Sequence, residues 1–151
     1  MRHPSADAQS LLDCPIAGLT ERVRALQGGD SEPADSAVTS ALAHLLGQPD
    51  TAEHKGLRFE LLLSAVCPSV DGVRRVPIAV ARTLLTRIDL RGPWSYVAVS
   101  LACLVDSEDF AADYLQANLR LFGTADADIA RGMIAWRPTL QEKLRARGMD
   151  V

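Results

Sequence analysis

The stretch Gly92–Gly123, GPWSYVAVSLACLVDSEDFAADYLQANLRLFG, decides the fold class. Pro93 opens an apolar run, Trp94 to Val105, and Asp106 with Ser107 starts a second helical pattern that Gly123 stops. Proline at a first helical position, Asp or Ser at a cap and Gly just past an end are separate helix signals, and here they agree. Between Pro93 and Asp106 there is no charge, and Trp94, Tyr96, Val97, Val99, Leu101, Cys103, Leu104 and Val105 spread over nearly every face of a helix. A helix apolar all round has to be enclosed by other helices. The stretch predicts the buried centre of an all-α domain.

Outward from it, the same periodicity predicts seven short helices. The first covers about Pro15 to Gln27, with Ile16, Leu19, Val23 and Leu26 inward, and the second about Pro33 to Leu46, with Val38, Leu42, Leu45 and Leu46 inward. Asp50 and Glu53 resemble a capping box for the third, which runs to Val66 through Leu57, Leu61, Leu62 and Ala65. The fourth, Val70 to Ile88, contains Pro77 and should kink or divide there. After the two helices of the central stretch, the seventh begins at Thr124. It places Ile129, Met133, Trp136, Leu140 and Leu144 on one inward stripe, and Pro138 bends or splits it. No segment alternates apolar and polar residues for long enough to predict a strand. Residues 1–14 read as a partly disordered segment and 15–148 as a single multi-helix domain.

In hairpin layout alone the chain resembles HEAT and armadillo solenoids, with Pro93 early in one helix, Asp106 in the turn and Arg120 in the next helix. That resemblance implies stacked antiparallel hairpins. The helix stops at Gly28, Gly47, Pro68, Gly92 and Gly123 are unevenly spaced, so an ordinary bundle fits equally well.

The 151 residues are enough for a self-sufficient core, and scarce aromatics leave Leu, Ala and Val to build it. The first residues hold no signal-peptide core and no run reaches the length of a membrane span, so a soluble cytoplasmic protein is expected. Cys14, Cys67 and Cys103 are an odd set, two of them in apolar helical patterns, and read as reduced thiols. Fourteen arginines against two lysines, with abundant Ala, point to a GC-rich bacterial genome.

Charge comes in blocks. Residues 28–54 hold five acids and no Lys or Arg, and residues 106–128 hold six acids (Asp106, Glu108, Asp109, Asp113, Asp126, Asp128) against Arg120. Residues 55–91 and 129–151 are net positive. Acids at helix starts and bases at helix ends complement the helix dipole, and acidic and basic helices can pair within a fold. The functional alternative is a partner-facing acidic patch that steers a basic protein. With a net charge of −3 and no aromatic-basic patch, the chain does not read as nucleic-acid-binding.

Reactive constellations are missing from the sequence. His3, His44 and His54 share no ligand spacing, and neither HExxH nor CxxC occurs. The His44-Leu45-Leu46-Gly47 segment lacks the Lys of a phosphorelay site and sits at a helix end. Cys67 has no base nearby in sequence and closes an apolar helix. There is no GxSxG, phosphate loop or calcium loop. No catalytic residue, metal or cofactor is therefore expected.

The reading that follows is a protein-binding module, such as a small bacterial inhibitor or immunity-type protein masking a basic partner through the six acids of residues 106–128. Trp136 reads first as core, packed with Met133 and Leu140; alternatively Trp136 and Arg137 form an aromatic anchor at a kinked edge. Two other readings remain: an enzyme or small-ligand binder with an inter-helix pocket lined by Phe59, Trp94, Tyr114 or Trp136, and a structural subunit of an oligomer.

Overall fold

A computed structural model describes residues 5–27, 34–47 and 55–151 of the chain. Among them the fold is all-α, with nine α-helices and one two-residue strand pair. The chain divides into two compact units, residues up to Val73 and Arg74–Val151. His3, His54 and the capping box at Asp50 and Glu53 lie outside the described residues.

The first unit holds α1 (Ala6–Asp13), α2 (Leu19–Gln27), α3 (Ala34–Leu46) and α4 (Lys55–Val66). A single 3₁₀ turn, Ile16–Gly18, leads into α2. Helix α3 packs on α1 and α4, and α2 touches all three. Helix α1 falls where partial disorder is expected from sequence. Ser5 caps it by accepting from the Ala8 N–H at 3.2 Å, and Ala8 and Leu11 are fully buried. Eight residues are too few for a helix alone in water, so tertiary burial stabilises this one. At its last turn Arg58 of α4 donates to the Leu11 carbonyl at 2.7 Å. In α4 the inward face is Phe59, Leu62, Leu63 and Val66, while Leu57, read as inward, is 50% exposed.

The fourth expected helix begins late. Ser69–Val70 and Val73–Arg74 pair as β1 and β2 around Asp71 and Gly72, which have φ of 53° and 78°. Two consecutive positive φ values define a type I′ hairpin turn, and Asp-Gly between β-branched residues is its sequence signature. The strandless expectation is corrected here. Helix α5 (Ile78–Leu85) starts only after Pro77, its N-cap, and buries Val80, Ala81, Leu84 and Leu85.

The second unit continues with α6 (Ser95–Leu104), α7 (Glu108–Asn118), a 3₁₀ turn at Leu119–Leu121, α8 (Thr124–Ala135) and α9 (Pro138–Ala146). Pro138 splits the seventh expected helix into α8 and α9. Ser107 caps α7 through the Phe110 N–H at 3.1 Å. Helix α6 is the centre: Val97, Ala98, Val99, Leu101, Ala102 and Cys103 are buried, and α5, α7 and α8 pack around it. Helix α8 lies on α6 and α9 on α7, while α6 meets α7 and α8 meets α9 across short turns. Ser95, the first residue of α6, donates to Asp126 in the first turn of α8 at 2.7 Å, so these two helices share a direction. The result is two stacked hairpins, α6–α7 and α8–α9. Thr124 follows Ser95 by 29 positions and Pro138 follows Glu108 by 30, a spacing that the uneven stop residues conceal.

Both tryptophans belong to the second unit, so their emission reports its unfolding. Leu101→Ala removes a fully buried side chain from α6 and should destabilise this unit by about 2–5 kcal/mol. Guanidinium titration followed by tryptophan emission measures it. An unmoved midpoint would mean that α6 is not the core.

Candidate functional site

The six acids offered by the sequence each meet a partner inside the second unit. Asp106 pairs with Arg75 at 3.2 Å, Glu108 with Arg137 at 2.9 Å, Asp109 with Lys143 at 2.9 Å and Asp113 with Arg147 at 2.7 Å. Asp126 accepts from Ser95, and Asp128 lies 3.7 Å from Arg131. The three pairs from Glu108 to Asp113 form a seam along α7 and its neighbours in and beside α9, which Gln116 extends by accepting from Arg147 at 3.1 Å. Acidic α7 thus lies against basic α9, and the acids of residues 106–113 are paired with bases of the blocks on either side. Exposed pairs of this kind contribute only about 0–1 kcal/mol each; their larger effect is to fix which helix lies beside which.

The hydrogen bond from Arg137 holds the Glu108 carboxyl below its ordinary value, helped by one that the carboxyl accepts from Glu108's own backbone N–H. The bond from Lys143, followed by its charge, does the same for Asp109.

Arg137 is not free to act as an anchor. Its side chain is only 20% exposed, and one guanidinium nitrogen donates to the carbonyls of Cys103 at 2.8 Å and Val105 at 2.9 Å, the other to Glu108. Cys103 and Val105 lie at the C-terminal end of α6, where carbonyls have no intrahelical donor. Arg137 thus caps the central helix from the turn between α8 and α9.

Trp136 is 88% exposed, which overturns its expected place in the core. The stripe Ile129, Met133, Trp136 is real but faces the other way. Ile129 is 54% exposed and Met133 half-buried, while Ala127, Ala130 and Ile134 form the buried face of α8. At about 100° per residue the two sets lie on different sides of the helix. Of the single stripe expected from periodicity, Leu140 and Leu144 are buried on α9 as expected, whereas on α8 the face that packs inward is Ala127, Ala130 and Ile134. Ala125 and Gly132 are exposed beside the outer stripe, and a Cβ built at Gly132 would meet nothing within 4 Å. The outer face of α8 carries an apolar ridge ending in an indole, flanked by the exposed Asp128–Arg131 pair. Large exposed apolar side chains in a row mark interaction surfaces.

The remaining candidates separate. Phe59 and Trp94 are core residues, and Trp94 stacks on Tyr96 with ring centroids 6.2 Å apart. Tyr114 lines an open groove between α5 and α7. Cys67 and Cys103 are buried, and burial pushes the Cys103 thiol up to about 12, far from a reactive thiolate. Among the described residues no group of three His, Cys, Asp or Glu side chains is placed to hold a metal. No helix of the described residues is long and apolar enough to cross a membrane.

In Trp94→Phe the remaining indole, Trp136, should emit at the wavelength of a water-exposed tryptophan and be fully quenched by acrylamide. A blue-shifted, shielded emission would place Trp136 inside. Lowered carboxyl values in the folded state stabilise it fully above the ordinary carboxyl range, and this contribution is lost as pH falls through the lowered values. The second unit should therefore weaken on acidification below about pH 4.5. Arg137→Ala should flatten that acid branch besides destabilising the unit at neutral pH, as pH-dependent guanidinium midpoints will show. No protein-family model matches this chain, and neither a curated protein nor a solved structure matches it.

Proposed function

We propose that the chain is a protein-binding module whose partner seats on the outer face of α8, with Trp136 as the anchor. The observation that carries this reading is the exposure of Ile129 and Trp136 on one helical stripe, with half-buried Met133 between them at spacings of four and three residues. That is the anchor pattern of a helix received by an apolar groove. A stacked-hairpin protein ordinarily turns polar residues to solvent on a face with no neighbouring hairpin, whereas α8 turns an indole outward. Tryptophan is among the residues most enriched at binding hot spots, because one side chain removes a large apolar area from water.

The acids take a lesser part. Asp106, Glu108, Asp109 and Asp113 already hold basic partners, so a basic protein would have to compete with Arg75, Arg137, Lys143 and Arg147. The partner surface that fits is an apolar groove rather than a basic one. An inhibitor or adaptor that covers such a groove is the form this function takes. The three cysteines, Cys14, Cys67 and Cys103, form no disulfide, which suits a reducing compartment such as a bacterial cytoplasm.

The test is to capture a binder from an extract of the source cells, purify it and titrate it against variants. Trp136→Ala and Ile129→Asp should each weaken binding by about thirtyfold or more, while Asp128→Lys, beside the ridge, changes it little. An undiminished affinity in Trp136→Ala removes the α8 face. Loss of binding in Asp113→Lys with Trp136→Ala intact would return the interface to the acidic seam.

A further inference from the structure

A second surface in the same unit has the makings of a small-molecule site, and it stands independently of the α8 face. Between α7 and α5 with the segment that follows it lies an open groove of about 400 Å³, within the range of ligand-binding clefts. Leu85, Ile88 and Leu90 supply apolar floor, and Phe110, Tyr114 and Asn118 form one wall. The wall residues are four apart on α7, so they share a face and span about 12 Å.

The polar groups of this groove are unequal. Asn118 commits its amide N–H to the Tyr114 carbonyl at 2.9 Å, and Thr86 commits its hydroxyl to the Thr83 carbonyl at 3.0 Å. Arg82 stands over the Phe110 ring, 5.9 Å from its centroid, and pairs with no carboxylate among the described residues. The Tyr114 hydroxyl likewise has no hydrogen-bond partner among them. Burial pushes this phenol up to about 12, so it remains a donor at any physiological pH. Arg82 and Tyr114 both donate, one of them carries a positive charge, and no acidic side chain lines the groove, whose side-chain acceptors are the neutral oxygens of Asn118, Thr86 and Tyr114. A single guanidinium stacked on an aromatic ring matches one negative charge with planar oxygens. A phosphate dianion would need more cation than the groove holds.

We infer that the α5–α7 groove binds a small apolar carboxylate, whose oxygens meet the Arg82 guanidinium and the Tyr114 hydroxyl while its hydrocarbon body lies along Leu85, Ile88 and Leu90. The occupant is an alkyl or arylalkyl monocarboxylic acid. It is held by a charge-assisted hydrogen bond at one end and by apolar burial along its length.

The experiment titrates the full chain with octanoate, octanol and octylamine and follows backbone amide resonances. Octanoate should shift residues 82–90 and 110–118, octanol should bind about tenfold more weakly, and octylamine should leave these residues unmoved. Arg82→Gln should weaken octanoate about tenfold and change octanol less than about twofold. Tyr114→Phe, which keeps the ring and removes only the donor, should weaken octanoate by a smaller factor. Trp136→Ala should leave the octanoate titration as it is, which separates this site from the α8 face. Octanol binding as tightly as octanoate, an unchanged octanoate affinity in Arg82→Gln, or shifts confined to residues 129–136 would each overturn the inference.

Discussion

A helix enclosed by other helices cannot send its last carbonyls to water, and the second unit is organised around that constraint. Helix α6 carries no charge and no basic residue in its last turn. Its terminal carbonyls are met from two directions. The Val76 N–H donates to Leu104 at 3.2 Å, and Arg137 donates to Cys103 and Val105. Val76 in turn accepts from the Asp106 N–H at 2.7 Å, so the segment before α5 is stitched to the end of α6. Leaving one such buried group without a partner costs about 1–3 kcal/mol. The path of the chain after Arg74 and the turn before α9 are both fixed by this requirement.

The same chemistry recurs at three other arginines. Arg58 meets the Leu11 carbonyl at the end of α1, Arg91 meets Leu121 at 2.7 Å after the 3₁₀ turn, and Arg145 meets Val151 at 2.8 Å. A guanidinium offers several donors in a rigid fork and keeps its charge when half-buried, which a lysine does less well. What reads in composition as a genomic bias includes, in the fold, guanidinium groups that reach from a helix or a turn to main-chain carbonyls elsewhere. Once Arg137 occupies the end of α6, Glu108 has its partner, and the α7–α9 seam follows from Lys143 and Arg147.

Stacking α8 on α6 has a consequence for the surface. Close approach favours small residues, and Ala127 and Ala130 supply them on the inner side. The bulkier stripe of Ile129, Met133 and Trp136 is left on the outer side, with Ile129 and Trp136 exposed and Met133 half-buried. The α5–α7 groove arises differently. Arg82 at its rim lies across Phe110, and the cleft beside them keeps two uncommitted donors above an apolar floor. One unit thus carries two unlike surfaces, an outward apolar stripe and a groove that sets donors beside apolar side chains.

Much of the fold was legible in the sequence because its determinants are local. The uncharged run after Pro93, the Ser107 cap, Gly47 after Leu46 and the division at Pro138 marked the helices, and the Asp71-Gly72 pair between valines would have marked the hairpin had its turn chemistry outweighed the surrounding helical period. The charge blocks were equally plain as blocks. Direction was not. Periodicity says that Ile129, Met133 and Trp136 share a face, but only packing against α6 decides whether that face or the alanine face turns inward. The pairing of Asp109 with Lys143 and of Asp113 with Arg147 joins residues 34 apart, and the groove needs Arg82 beside Phe110. Such contacts depend on how helices lie in three dimensions, which no local pattern of residues encodes.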